Sequence, residues 1–230
     1  MTEPPLLVVD LGRRPYAEVL GLQRDLAERR IVGPLRHDLL LLVEHHPVIT
    51  LGRGTRPESL PIPPSQLERR GIAVFEVERG GDVTFHGPGQ LVGYPILDLK
   101  NHRQDLHWYL RQLEAALITA LAELGLETGR NPGLTGVWTG GRKIASIGVH
   151  VRHWVTTHGF ALNVTTDLQP FELIIPCGIL GVQMTSIERE LSRRNPERRE
   201  RALWKRTRDA VVGSLGKVFS RSPEEVERTP

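Results

Sequence analysis

Cysteine is almost absent from this 230-residue chain, where it occurs once, at Cys177. A single thiol cannot form an internal disulfide, so Cys177 serves either packing or chemistry. A protein without disulfides fits a reducing compartment, and we predict a cytoplasmic location. Lysine is also scarce, and a partly buried lysine, unlike an arginine, can lose its proton at working pH. The four lysines are Lys100, Lys143, Lys205 and Lys217.

Long apolar runs and a basic leader are missing as well. No stretch approaches the roughly 18 apolar residues of a membrane span, and Met1–Pro5 carries no basic residue. The apolar segment that follows, Leu6–Val9, is too short for a signal peptide. We therefore expect no leader and no membrane association.

The overall composition is that of an ordinary globular protein, with 39% hydrophobic and 25% charged residues. The net charge of +3 and the pI near 9.3 favour an acidic partner, either nucleic acid or protein. The arginine-rich stretch 193–206 is a candidate nucleic-acid surface. Acidic residues interleaved at Glu197, Glu200 and Asp209 favour a solvated helix face instead, so we predict no nucleic-acid binding.

Several segments show clear helix or strand patterns. Leucines at helical spacing predict a helix over Asp105–Leu124. Leu91–Leu99 is predicted as a strand at a sheet edge or bulge, because it contains a proline. Thr185 and Glu188 fit a capping box at the start of another helix.

Helix and strand patterns alternate irregularly, which favours an α+β or mixed-sheet fold. A final charged helix is predicted over Pro196–Phe219. We predict one catalytic domain over residues 1–220 and a frayed C-terminal tail over residues 221–230.

The segment Arg79–Gln90 contains four glycines and one histidine. Adjacent glycines let the backbone run close to a ligand. In an extended conformation Val83 and Phe85 lie on one face, with Thr84 and His86 on the other. The pattern predicts a binding segment; the alternative is a glycine-rich hairpin with a satisfied histidine.

Gly136–Lys143 is close to a nucleotide-binding phosphate loop but departs from it at two positions. Arg142 stands where the phosphate-binding lysine belongs, and Ile144 follows where a hydroxyl residue is required. We reject nucleotide binding by this segment. What remains is Lys143 at the start of a strand of small residues, with an exposed turn lysine as the alternative.

The surroundings of Cys177 favour chemistry over packing. Pro176 fixes one backbone torsion before the thiol, and Gly178 permits a sharp turn after it. A cysteine that fills a core more often lies within a periodic apolar stretch.

The nine histidines raise the question of a metal site. Adjacent His45 and His46 diverge on a strand, and His150 and His153, three apart, point to opposite faces. The sequence also lacks Cys-x-x-Cys and His-Glu-x-x-His spacing. We predict no metal site.

Six segments together resemble the octanoyl-acyl-carrier-protein:protein octanoyltransferases of lipoate synthesis. They follow the order of that family between about residues 40 and 190. The segments are Glu44–Arg53, Arg79–Leu99, Gly136–Trp138, Lys143–Gly148, His158–Val164 and Pro176–Ile179.

The resemblance implies an α+β fold in which a mixed β-sheet core is flanked by helices, as in the biotin/lipoate protein ligase catalytic domain. It also implies transfer of an octanoyl group from octanoyl-acyl carrier protein to a specific lysine of lipoyl domains, without ATP or a cofactor. The expected acceptors are 2-oxoacid dehydrogenase E2 subunits and the glycine cleavage H protein, and the enzyme is expected to be a monomer.

Family roles then fall on Cys177 as the acyl acceptor and on Lys143 as its catalytic partner. The resemblance implies a substrate-binding site lined by Arg79, Gly80, Gly81, Asp82, Val83, Thr84, Phe85, His86, Ser146, Ile147, Gly148, Gly159, Phe160 and Ala161.

The chemistry of these residue types agrees with the implied roles. A thioester carries an activated acyl group, so a thiolate accepts it without ATP. An ordinary cysteine, with a pKa of about 8.5, is mostly protonated at neutral pH. A neighbouring ammonium at Lys143 favours the thiolate and can relay protons. Burying about seven carbons of an octanoyl tail contributes on the order of 5 kcal/mol to binding.

Three other functions stay open from the sequence. An ATP-dependent lipoate or biotin protein ligase would use the same fold. A cysteine hydrolase would pair Cys177 with a histidine, for which His86 is the candidate. A basic nucleic-acid-binding module would act independently of Cys177.

Overall fold

The largest element of the fold is an eight-stranded mixed β-sheet. A computed structural model describes residues 4–178, 181–194 and 202–229. The strands are Pro5–Arg14 (β1), Asp38–His45 (β2), Val48–Leu51 (β3), Ala73–Glu76 (β4), Val83–His86 (β5), Gln90–Ile96 (β6), Gly129–Asn131 (β7), Leu134–Thr139 (β8), Arg142–Arg152 (β9), Val155–Asn163 (β10) and Ser222–Glu225 (β11). The α-helices are Tyr16–Val32 (α1), Pro64–Glu68 (α2), Leu106–Glu123 (α3), Ile187–Arg194 (α4) and Leu203–Phe219 (α5).

The large sheet has the order β11-β1-β2-β6-β10-β9-β8-β7, and a small sheet has the order β4-β3-β5. β1 pairs in parallel with both β11 and β2. The other neighbouring pairs of the large sheet are all antiparallel; they are β2–β6, β6–β10, β10–β9, β9–β8 and β8–β7. Both sheets are therefore mixed, because β3 is parallel to β4 and antiparallel to β5.

Helices cover the two faces of the large sheet. α3 and α5 contribute Leu113, Leu117 and Leu215 to the core on one face, and α1 contributes Val19 and Leu26 to the core on the other. The prediction of an α+β fold with a mixed sheet flanked by helices is confirmed.

The predicted helix over Asp105–Leu124 is also confirmed. Asp105 caps it, since its side chain accepts a hydrogen bond from the Trp108 backbone N–H at 3.0 Å. Leu113, Leu117 and Leu121 are fully buried along one stripe, as the leucine spacing requires.

The strand that contains Pro95 differs from its expected position. β6 lies inside the large sheet, between β2 and β10, and not at an edge. This position tolerates a proline because the β10 ladder covers Gln90–Gly93 and stops before Pro95. Beyond the ladder, the Thr156 hydroxyl supplies the hydrogen bonds: it donates to the Pro95 carbonyl and accepts from the Leu97 N–H.

Two local expectations at helix ends are corrected by the structure. The cap of α4 is Ser186, whose hydroxyl accepts from the Arg189 backbone N–H at 3.2 Å. Thr185 donates to Glu190 instead, so the proposed capping box of Thr185 and Glu188 is wrong. The last helix begins at Leu203 within the described residues; residues 195–201 lie outside them.

The C-terminal segment forms a strand where the sequence predicts a frayed tail over residues 221–230. β11 pairs with β1, and Arg221 donates to the buried Asp38 carboxylate at 2.9 Å. Pairing with β1 and this ion pair hold the segment in place. Its own side chains are exposed, so a hydrophobic pattern does not predict this strand. Among the described residues, no helix combines the length and apolar character needed to cross a bilayer.

Candidate active site

A cavity of about 230 Å³ is lined by residues of both sheets and of α1. Its outer wall contains exposed positions such as Gly81, Gly133 and Thr135, and its inner wall is buried. The lining residues are Tyr16, Arg79, Gly81, Asp82, Val83, Thr84, His86, Val92, Tyr94, Gly133, Leu134, Thr135, Lys143, Ser146, Ile147, Gly148, His158, Gly159, Phe160 and Ala161.

All the residues expected to bind substrate lie in this wall except Gly80 and Phe85. The Gly80 backbone N–H donates to the Val149 carbonyl at 2.8 Å, which joins the glycine-rich segment to β9. Phe85 points into the core of the small sheet, edge-on to Phe171 with ring centroids 5.5 Å apart. Gly80 and Phe85 therefore adjoin the lining residues without lining the cavity themselves.

Sequence reasoning left several lining residues unassigned. Tyr94 and His158 fall inside the resembling segments, so the family pattern contained a signal for them. Tyr16 lies before those segments, in the first turn of α1. Its position in the wall depends on how α1 packs across the sheet, which no local pattern encodes. The other unassigned lining residues are Val92, Gly133, Leu134 and Thr135.

Close backbone packing at Gly148 brings the glycine-rich segment onto β9. A Cβ atom at Gly148 would lie 2.9 Å from the Gly80 carbonyl oxygen and 3.1 Å from Arg79 Cδ. These separations are shorter than van der Waals contact. A side chain at position 148 would therefore push the Arg79 segment away from the cavity.

Arg79 is a buried cation in the cavity wall, 7% exposed. Its guanidinium donates to the Thr50 carbonyl at 2.8 Å, to the Thr50 hydroxyl at 2.9 Å and to the Gly80 carbonyl at 3.1 Å. These bonds hold the charge at the junction between β3 and the glycine-rich segment.

His45 stands behind the inner wall as a neutral imidazole. Burial lowers the pKa of His45 to about 4, despite a hydrogen bond to the Arg14 carbonyl. Nδ1 donates to that carbonyl at 3.1 Å, which leaves Nε2 to accept from the Tyr94 hydroxyl at 2.8 Å. The bond orients Tyr94 in the wall.

His86 is a second neutral imidazole, and it lines the cavity itself. Burial, followed by the influence of His45, lowers the pKa of His86 to about 3. The Gln90 amide NH₂ donates to the Phe85 carbonyl and to Asn163, so its oxygen accepts from His86 Nδ1 at 2.8 Å. Nε2 of His86 is therefore a hydrogen-bond acceptor.

Beside Arg79, the buried part of the wall holds a group of uncharged aromatic and imidazole rings. Tyr16 stacks on His86 with ring centroids 6.0 Å apart, and burial raises the pKa of Tyr16 to about 12. Burial likewise raises the pKa of Tyr94 and lowers that of His158. These rings offer an apolar chain a buried surface without formal charge, next to the Arg79 guanidinium.

Lys143 is a buried lysine, 2% exposed, that also lines the cavity. Its Nζ lies 5.4 Å from the centroid of the Trp138 ring. Its backbone N–H donates to the Gln183 carbonyl at 2.8 Å, and its carbonyl accepts from the Thr185 N–H at 2.9 Å. The alternative of an exposed turn lysine is therefore excluded.

The backbone around Cys177 forms the 3₁₀ turn Pro176–Gly178 next to the cavity. A Cβ atom at Gly178 would lie 2.4 Å from Oδ2 of Asp82, a lining residue. Ile175 is tied to the same region through its N–H, which donates to the Ser59 carbonyl at 2.9 Å. The Cys177 side chain and residues 179–180 lie outside the described residues, so the meeting of the thiol with Lys143 stays a prediction.

Three of the histidines meet at this site. The ring centroids of His45 and His86 are 5.9 Å apart, and His158 lies against Tyr94. Over the described ranges, no group of three or more His, Cys, Asp or Glu side chains is arranged to hold a metal ion. Hydrogen bonds to Arg14, Tyr94 and Gln90 already use nitrogens of His45 and His86.

Comparison with known proteins gives this arrangement a context. Residues 15–205 match the family described as the lipoyl protein ligase A/B catalytic domain. An octanoyltransferase of Solibacter usitatus is 57% identical over 74% of this chain and 76% of its own length. An octanoyltransferase of Gloeobacter violaceus is 52% identical over 75% of this chain and 76% of its own length.

A solved structure shows the same fold at much lower identity. The crystal structure of lipoate-protein ligase A bound with ATP is 16% identical, with a TM-score of 0.73 over 100% of this chain and 90% of that chain. This similarity concerns the fold alone. The identities above 50% with octanoyltransferases are far more specific. The chain belongs to the octanoyltransferases of the lipoyl protein ligase A/B catalytic-domain family.

Proposed function

We propose that this octanoyltransferase-family member moves an octanoyl group from octanoyl-acyl carrier protein to a lysine of a lipoyl domain, through a thioester on Cys177. Lipoyl domains of 2-oxoacid dehydrogenase E2 subunits and the glycine cleavage H protein are the proposed acceptors. The transfer starts lipoate synthesis in the cytoplasm and uses no ATP or other cofactor.

The observation that carries the proposal is a shared cavity wall. Lys143 lines the cavity, and so does Asp82, against which Gly178 packs. The buried rings of Tyr16, Tyr94 and Phe160 in this wall suit an apolar acyl chain. Family membership supplies the reaction class, and the cavity supplies a place where it can proceed.

The first step forms the acyl-enzyme. The Cys177 thiolate attacks the thioester carbonyl, a new carbon–sulfur bond forms, and the bond to the carrier sulfur breaks. The carrier leaves as a thiol with a proton from the Lys143 ammonium, which becomes a neutral amine. Charge and protons balance without another reactant.

The second step transfers the acyl group to the acceptor. The acceptor lysine amine attacks the acyl-enzyme carbonyl, an amide bond forms, and the Cys177 thiolate leaves. The proton lost by the amine goes to neutral Lys143, which regenerates the starting thiolate and ammonium.

A cysteine hydrolase with His86 as the base fits the geometry less well. A general base is most effective when its pKa lies near the working pH. Burial holds the pKa of His86 at about 3, so its imidazole is a weak base at neutral pH. His86 is therefore a poor proton carrier for the proposed cycle.

Intact-mass measurement tests the function directly. We expect the protein, mixed with octanoyl-acyl carrier protein, to gain the mass of one octanoyl group and to lose it when a lipoyl domain is added. Cys177→Ser should prevent loading or leave a slow ester adduct. Lys143→Arg should retain a positive charge and lose proton transfer, lowering turnover by roughly 100-fold.

The matched control for the lysine variant is Lys100→Arg, because Lys100 is half-exposed and pairs with Asp98 away from the cavity lining. A protein that ignores octanoyl-acyl carrier protein and requires ATP with a free fatty acid would be a ligase, and the proposal would be wrong. Normal turnover in Lys143→Arg would exclude the proposed proton carrier.

A further inference from the structure

A buried carboxylate lies behind Lys143, on the helix that packs against its strand. Glu114 of α3 is completely buried, one helical turn before the core leucine Leu117. A charge at such a position is costly unless hydrogen bonds compensate it. Its partners therefore indicate what it does.

The Glu114 carboxylate accepts three hydrogen bonds. Oε2 accepts from Arg111 at 2.6 Å and from Arg130 at 2.8 Å. Oε1 accepts from the Gly136 backbone N–H at 3.1 Å. The two arginines are about half-exposed and compensate the charge, whereas the Gly136 bond joins α3 to the start of β8.

Gly136 in turn packs against the end of the Lys143 side chain. A Cβ atom at Gly136 would lie 2.7 Å from Lys143 Cε and 3.3 Å from Nζ. Gly136 has a φ of +127°, in a region that favours glycine. The backbone that Glu114 holds is thus the surface on which the lysine rests.

The pairing of β8 with β9 is irregular at the same place. Val137 pairs with Ala145, but the next residue, Trp138, pairs with Lys143, so Ile144 is an extra residue on β9. A bulge of this kind disrupts the ladder locally and redirects side chains. The Glu114–Gly136 bond holds the neighbouring β8 backbone from outside the ladder.

We propose that Glu114 is a positioning residue for Lys143, because its carboxylate fixes Gly136, and Gly136 holds the lysine end toward the cavity. The inference rests on the proposed role of Lys143. Glutamine at position 114 has one acceptor oxygen, so it cannot satisfy Gly136 and both arginines together. The amide NH₂ of that glutamine would then face at least one hydrogen-bond donor, either the Gly136 N–H or an arginine.

The experiment compares Glu114→Gln with Glu123→Gln, an exposed glutamate on the same helix that pairs with Lys217. Single-turnover loading from octanoyl-acyl carrier protein should fall roughly 10- to 100-fold in Glu114→Gln, since small displacements of a catalytic group cost this much. The pH midpoint for alkylation of Cys177 by iodoacetamide should rise, because a displaced ammonium stabilises the thiolate less. Glu123→Gln should match the native protein in both measurements.

Folded Glu114→Gln with native loading and a native alkylation midpoint would overturn the inference. If Glu114→Gln does not fold, Glu114→Asp is the test variant. It retains the charge, but its shorter side chain no longer reaches the Gly136 N–H. Native loading and a native alkylation midpoint in Glu114→Asp would equally overturn the inference. Lys143→Ala, measured in parallel, separates the two proposals. Native loading in Lys143→Ala contradicts the proposed function, whereas a defect in Lys143→Ala alone contradicts only the role of Glu114.

Discussion

At this site, burial determines the protonation state of the histidines more than their intrinsic pKa does. His45 and His86 are ionisable near neutral pH in water, yet burial keeps both neutral in the folded chain. Each uses Nδ1 as a donor, and His45 uses Nε2 as an acceptor for Tyr94. The fold thereby keeps two titratable groups uncharged, His86 in the cavity wall and His45 behind it.

A pH-dependent cost follows from the lowered pKa of His45. Its folded pKa of about 4 lies below the ordinary value of 6.5, so below pH 6.5 the unfolded chain binds a proton that the folded chain refuses. Stability therefore falls as pH decreases from about 6.5 toward 4. Between pH 7 and pH 5 this histidine should contribute a loss of about 2 kcal/mol.

The variant His45→Gln, which has a donor and an acceptor but no titration, should reduce that pH-dependent loss by about 2 kcal/mol. Urea unfolding at pH 7 and pH 5 measures the difference. His37→Gln, which removes an exposed histidine instead, is the matched control variant. An equal loss in His45→Gln and the native protein would show that His45 is not the titrating group.

Secondary-structure elements were predictable where one face is apolar and unpredictable where tertiary contacts hold them. The leucine stripe of α3 predicted the helix, and the cap residue Asp105 marked its start. β11 has four exposed residues, and its pairing with β1 and the Arg221–Asp38 contact keep it in place. The position of Pro95 inside the sheet likewise depends on Thr156, which no pattern near Pro95 reveals.

Loss of the contact that holds β11 should therefore be measurable. Asp38 is buried and accepts from Arg221 and His102, with Arg30 3.3 Å away. Arg221→Ala leaves Arg30, His102 and the Asp98 backbone N–H as partners of Asp38, so we expect the free energy of unfolding to fall by about 2 kcal/mol. Arg228→Ala, at an exposed position further along the tail, should change it little. Equal stabilities of the two variants in urea would mean that the tail contributes nothing.

The molecule as a whole assembles its cavity from segments far apart in the chain. Tyr16, Arg79, Lys143 and His158 come from α1, the glycine-rich segment, β9 and β10, and meet because the small sheet packs against the large one. The net positive charge is likewise a property of the whole chain. It favours an acidic donor protein such as acyl carrier protein.

Charge attraction of this kind should weaken with salt. Raising the ionic strength from about 50 to 300 mM should lower kcat/KM for octanoyl-acyl carrier protein roughly three- to tenfold, because screening slows the encounter. A small uncharged octanoyl thioester serves as the control donor, and its kcat/KM should hardly change. The same salt response for both donors would exclude electrostatic steering by the protein surface.

The family and its reaction class follow from sequence, because residue type and spacing carry the resemblance: a lone cysteine between proline and glycine, a lysine entering a strand, and a glycine-rich segment with a histidine. The amphipathic helix α3 follows from sequence for a similar reason, since its leucine stripe is local. Long-range packing determines the rest. It brings Tyr16 to the cavity, keeps His45 and His86 neutral by burial, and sets a buried carboxylate at Glu114 behind Lys143, where a local pattern shows nothing but a polar residue on an apolar face.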